Sequence, residues 1–177
     1  VLLPLTRPAP CSTLKAEGPL VWLDHMTLEI QQATAEDVGV IQQMLVELAC
    51  ALGKPGGYKG TPESLLKYGF SNKPAFEVML AYSQGMPVGL VLYFFEFSTW
   101  RSKPGIYVQD LYVADSARGL GVGRRLTAAA IQRAAAQGAT YMRLSVHASN
   151  REAAAFYKAV GFTEAADECM MVLEGPA

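Results

Sequence analysis

The chain has 177 residues, 51% of them hydrophobic and 18% charged, which is enough material for one buried core and too little for two ordinary domains. Its 15 basic and 16 acidic residues leave a formal net charge of −1, so nothing in the balance favours a polyanionic partner and no nucleic-acid role is expected. No apolar run reaches the ~20 residues that span a bilayer, and Cys11, Cys50 and Cys169 are odd in number, far apart and without metal-ligand spacing. These features predict a soluble, cytoplasmic protein with reduced thiols, no metal and no membrane partner.

Val1 to His25 contains four prolines, at 4, 8, 10 and 19, and no sustained apolar period, so it reads as an extension outside a single domain over residues 26–177. From Met26 the alternation Leu28, Ile30 predicts a short strand. Thr34-Ala35-Glu36-Asp37 then supplies an N-cap candidate with acids in the first turn. The helix that follows carries Val38, Ile41, Leu45 and Leu48 on one face and stops at Gly53-Lys54-Pro55-Gly56-Gly57. Thr61-Pro62 starts a second helix, with proline at the first helical position, running through Leu65, Leu66 and Tyr68 to Gly69. Phe76 to Tyr82 and Pro87 to Phe97 flank the turn Gln84-Gly85 as a hairpin, whose second arm is so apolar that it must be covered on both faces. Gly105 to Val113 is the next strand. After Ser116-Ala117-Arg118 a long helix places Val122, Leu126, Ala129, Ala130 and Ala134 at helical spacing and stops at Gly138. Tyr141 to His147 reads as a strand, Asn150 caps a short helix through Ala153, Phe156 and Tyr157 to Gly161, and Glu168 to Leu173 reads as a closing strand. This order predicts an α/β sandwich with a mixed sheet, antiparallel in its first half and built from a parallel strand–helix–strand unit in its second.

Arg118-Gly119-Leu120-Gly121-Val122-Gly123 lies between a strand and a helix. Three glycines at a helix entrance allow close backbone approach and direct several N–H groups, with the helix dipole, at one anion. The run lacks the later glycine and acid of a dinucleotide fingerprint and the Gly-Lys-Ser/Thr of a triphosphate loop. Preceded by Gln109-Asp110-Leu111-Tyr112-Val113, it resembles motif A of the GNAT N-acetyltransferases, Arg/Gln-x-x-Gly-x-Gly/Ala. Leu65 through Phe70, Val88 through Phe95, Trp100, Asp110, and Asn150 through Phe156-Tyr157-Lys158 are similar to the spermidine/spermine and thialysine branch of that superfamily.

The resemblance implies acetyl-CoA as cosubstrate, bound by backbone groups of Leu111, Tyr112 and Val113, by the turn from Arg118 to Arg124 that includes Leu120 and Val122, and by Asn150 and Ala153. It also implies a strand splay opened by a β-bulge near Gln109–Asp110, and a homodimer. Tyr157 takes the place of the general acid that protonates the departing thiolate, although a tyrosine on an amphipathic helix is also an ordinary core residue. Gln109 stands where the polyamine enzymes have glutamate, and an amide is no base. Asp110, Glu96 or a water chain are the candidate bases. Gln109 and Asp110 alternate across the strand, so one of them lines a given wall.

Asp110, Glu96 and Trp100, with Tyr93 and Tyr112, are candidates for holding a cationic amine; packing or a subunit contact is the competing reading of the aromatics. Ser98 replaces an acid of the branch, which suggests a less charged amine than spermine. His147 is either a proton shuttle or a hydrogen-bonded structural residue. Arg125, Arg133 and Arg143 face either coenzyme phosphates or water. The expected activity is direct acetyl transfer to the primary amine of a small molecule. Acylation of a protein or peptide amine, or an acyl-CoA-binding protein that has lost catalysis through Gln109, are the alternatives.

Overall fold

The computed structural model describes residues 27–165 and 168–171. The expected extension over residues 1–25 lies outside the described residues. Among the described residues, nine α-helices and strands follow in chain order: β1 (Leu28–Gln32), α1 (Val38–Ala51), α2 (Pro62–Gly69), β2 (Glu77–Ser83), β3 (Met86–Ser98), β4 (Lys103–Val113), α3 (Val122–Ala136), β5 (Met142–Leu144) and α4 (Arg151–Ala159). The strands form one sheet in the order β1-β2-β3-β4-β5. The first four run antiparallel, and β5 runs parallel to β4 after the α3 crossover.

Local sequence accounts for most boundaries. The Asp37 carboxylate accepts from the Thr34 N–H at 2.8 Å and sets the entry to α1 through a turn of 3-10 helix over Ala35–Asp37. Thr61 caps α2 by accepting the Ser64 N–H, with Pro62 at its first position. Both faces of the sheet are covered. Val91, Tyr93, Ile106 and Val108 pack with Val122, Leu126, Ala130 and Ala134 of α3, while Leu80, Leu90, Leu92 and Tyr112 pack with Ile41, Met44 and Leu45 of α1 and Leu65 of α2. The apolar run in β3 is therefore buried from Gly89 to Tyr93, because both layers reach that far. Its distal part departs from the expectation: among the described residues Phe95 is 38% and Phe97 61% exposed, and neither belongs to the two core clusters.

One irregularity shapes the molecule. Leu92 pairs with Asp110 and Tyr93 with Val108, so Gln109 is an extra residue in β4. The bulge inverts the alternation of the strand: Val108 belongs to the α3 side of the core, and Tyr112, four residues on, to the α1 side. Strict alternation between Gln109 and Asp110 therefore does not apply. The same point ends the pairing with β5, which covers only Ile106, Tyr107 and Val108. The expected strand from Tyr141 to His147 is accordingly cut to Met142–Leu144, since β4 has turned away from whatever follows. Glu168 to Met171 is not strand, and the remainder of the expected closing strand lies outside the described residues.

Candidate active site

Where β4 leaves β5, a cleft of about 710 Å³ opens between the free edge of β4, the entrance to α3, the side of α4 and the last turn of α1. Its walls bring together Leu111, Tyr112 and Val113, the turn Arg118 to Arg124, Asn150, Ala153 and Tyr157. Leu120 is the exception in that turn, 41% exposed between two glycines of positive φ, so only its backbone can serve the cleft.

The three glycines have different reasons to be there. Gly119 and Gly121 hold φ of +76° and +77°, which L side chains rarely adopt, and open space lies where their Cβ atoms would be. Gly123 is helical, and a Cβ there would stand 3.1 Å from the Phe156 ring, so its bareness also lets α4 close on α3. Among the described residues, no backbone N–H from Gly119 to Arg124 has an acceptor; the helix bonds begin with Arg125 N–H to Gly121 O at 3.1 Å. A run of free donors at the positive end of α3 fits a pyrophosphate. Arg118 and Arg124 flank it, the first paired with Asp115 at 2.9 Å, the second reaching the Ala159 carbonyl at 3.4 Å. The other basic residues weighed for phosphate or solvent hold internal acceptors instead. Arg125 donates to the Leu28 carbonyl at 2.8 Å, Arg133 pairs with Glu77 at 2.6 Å and Arg143 with Glu96 at 2.6 Å.

Between Gln109 and Val113 the β5-facing edge of β4 has no strand partner among the described residues, which leaves room for an amide-bearing arm to lie along it. Asn150 accepts the Ala153 N–H at 3.0 Å and so fixes the start of α4 against this slot. His147 is exposed at the rim, its Nδ1 accepting the Ser149 N–H at 3.3 Å.

Of the groups able to move protons, Tyr157 lines the cleft, and Asp110 directly precedes the lining run Leu111 to Val113. Tyr157 is half-buried, edge-on to Phe156 and Phe162 with ring centroids 5.1 and 5.4 Å away. Burial, with the charge of Asp110 nearby, pushes its phenol up to about 12, so it stays protonated at neutral pH. Asp110 faces the α1 side beside Leu92, and burial raises its carboxyl above the usual range, which makes it a stronger base once ionised. Gln109, on the bulge, is exposed.

Several expected acceptor residues lie elsewhere. Glu96 is held by Arg143 through two hydrogen bonds, 2.6 and 2.8 Å, several residues down the sheet from Asp110, and is no free base. Trp100 occupies the β3–β4 turn, 96% exposed and outside the cleft. Tyr93 is fully buried under α3 with its hydroxyl on Glu77 at 2.9 Å, and the Tyr112 hydroxyl is bonded to Glu47 at 2.9 Å. Among the described residues these rings do not converge on one cage: Tyr93 belongs to the core, and Tyr112 lines the cleft with its hydroxyl turned to Glu47.

A β-bulge that splays two strands above a glycine turn of free N–H donors is the frame into which the known families can be set, and the model of the acetyltransferase (GNAT) family matches residues 42–162. The chain belongs to that family. It is an acetyl-CoA-dependent GNAT N-acetyltransferase. It is 33% identical over 140 residues to a thialysine N-epsilon-acetyltransferase of Mus musculus and 31% identical to that of Bos taurus, each match covering 75% of this chain and 82% of the relative. A crystal structure of an aminoglycoside acetyltransferase from an uncultured soil metagenomic sample shares the GNAT fold, with a TM-score of 0.69 at 19% identity over 85% of this chain and 96% of that one. Among the described residues, no helix is long and apolar enough to cross a membrane.

Proposed function

We propose that this acetyltransferase acts on the primary amine of a small cationic molecule, a diamine, polyamine or lysine-like compound, by direct attack on the thioester in a ternary complex. The observation that supports the reading is Tyr157 in the cleft wall, its phenol held protonated, with the charge of Asp110 near enough to act on it. Acetyl-CoA, when bound, supplies the activated acyl group. The turn from Gly119 to Arg124 would hold its pyrophosphate, and the free edge of β4 would align its pantetheine arm.

Asp110 accepts a proton from the attacking amine, and Tyr157 delivers one to the departing sulfur. The exposed Gln109 needs no role as a base. The thialysine acetyltransferases among its relatives favour the lysine-like end of the class. The exposed Phe95, Phe97 and Trp100 at the β3–β4 end support a homodimer, and the free, exposed Cys50 and Cys169 suit the reducing cytoplasm.

The test is thiol release from acetyl-CoA across diamines, polyamines, S-(2-aminoethyl)-L-cysteine, lysine and peptides. Turnover concentrated in small amines supports the reading. Preference for peptides favours protein acylation, and coenzyme binding with no turnover on any amine favours a binding protein.

A further inference from the structure

The connection from α1 to α2 opens with a helix stop that fixes the backbone on both sides of one residue, Lys54. Gly53 closes α1 at φ +70° and donates to the Cys50 carbonyl at 2.9 Å, while the Lys54 N–H returns to the Ala49 carbonyl at 2.9 Å. Pro55 and Gly56, the latter at φ +73°, then form a tight turn that the Gly57 N–H closes on the Lys54 carbonyl at 2.8 Å. A Cβ on Gly57 would stand 2.9 Å from that carbonyl and 3.1 Å from the Lys54 Cβ, so a bare residue there keeps Lys54 in place. In a stop of this kind the position after the closing glycine often carries an apolar side chain folded back on the helix. Here it carries a lysine, and that lysine lines the cleft beside Leu48 and Leu52.

The same cleft holds the glycine turn with Arg118 and Arg124, contributed from the α3 side. Its charges leave work for a further cation. Arg118 is already paired with Asp115 at 2.9 Å, and Glu152, at the start of α4, adds a negative charge to the lining. Among the described residues Lys54 takes part in no ion pair. An exposed ammonium with no acid of its own, on a fixed backbone in a cleft whose other wall suits phosphate, is itself complementary to phosphate. We propose that Lys54 is a coenzyme-binding residue: its ammonium holds a phosphate of acetyl-CoA from the α1 wall, while the glycine turn holds the coenzyme from the α3 wall. This rests on the coenzyme reading of the cleft and is independent of which amine is acetylated.

The experiment is calorimetric titration of coenzyme A and of 3′-dephospho-coenzyme A into the wild type, Lys54→Ala, Lys54→Arg and Lys73→Ala, the last an exposed lysine outside the cleft lining. Lys54→Ala weakens coenzyme A binding by about 10-fold, the worth of one hydrogen bond to a charged group, with the melting temperature unchanged. Lys54→Arg keeps the charge and restores most of that affinity, and Lys73→Ala, the same change in net charge, binds as the wild type does. The loss in Lys54→Ala shrinks as salt is raised, because the contact is between charges open to solvent. A loss that persists with 3′-dephospho-coenzyme A puts the ammonium on the pyrophosphate, and one that disappears there puts it on the 3′-phosphate; either bears the proposal out. A Kd within twofold of wild type in Lys54→Ala, or an equal loss in Lys73→Ala, overturns the proposal and leaves the coenzyme reading standing. No binding of coenzyme A by the wild type overturns both.

Discussion

Asp110 illustrates how a residue's chemistry follows from where the backbone delivers it. In an unbroken strand it would share a face with Val108, under α3; the extra residue Gln109 moves it to the α1 side, half-buried. Burial raises its carboxyl, so the folded chain keeps that proton to higher pH than the unfolded chain does. Its contribution to stability is therefore full below the unfolded value and is lost as pH rises through the folded one. Asp110→Asn should melt above wild type at about pH 8, the gap closing as the pH falls through the carboxylate range; thermal unfolding across pH reads this directly. Glu96 shows the opposite lesson. Its identity as a spare acid was plain in the sequence, but its partner Arg143 comes from β5, 47 positions away, and no local pattern announces that pairing. Lys54 was hidden for a related reason: a lysine between glycines and a proline reads as a helix stop until the cleft is seen to include it.

Elements were legible wherever a short-range rule decides them. The caps at Thr61 and Asn150, the 3.6-residue spacing in α3 and the glycine turn before it all rest on contacts within a few positions. The length of β5 was not legible, because a strand requires a partner and the partner departs at the bulge. The glycine turn also separates two effects that the motif alone merges. Gly121→Val forces a β-branched residue to φ near +77° and places methyls in the cradle, so coenzyme A binding should vanish by calorimetry with little change in fold. Gly123→Val meets Phe156, so it should lower the melting temperature as well as the affinity. Unchanged affinity in both variants would contradict the cradle.

For the whole molecule, the bulge joins two halves with separate tasks. The antiparallel half, β1 to β4 with α1 and α2, carries Asp110, and the β4–α3–β5 unit with α4 carries the glycine turn and Tyr157. The proposed mechanism has transfer take place where they part. The α/β order and mixed sheet could be read from the pattern of apolar periods, whereas the exposed end of β3 could not, since periodicity registers hydrophobicity and not what covers it. That uncovered end, with Phe97 at 61% and Trp100 at 96% exposure, predicts self-association. Light scattering at micromolar concentration should give the mass of a dimer, and Phe97→Ser with Trp100→Ser should give the monomer; a wild-type monomer would refute this.

The central claim is that Asp110 takes the amine proton and Tyr157 gives one to the sulfur, and the pH dependence of kcat/KM for acetyl transfer tests it most directly. The wild type should lose rate on the acid side through a group above the ordinary carboxylate range, an inflection that Asp110→Asn abolishes. Tyr157→Phe should lower kcat by about 10²–10⁴-fold with acetyl-CoA affinity retained. A Tyr157→Phe enzyme with wild-type kcat, or an Asp110→Asn enzyme that keeps both rate and acid inflection, would contradict the account.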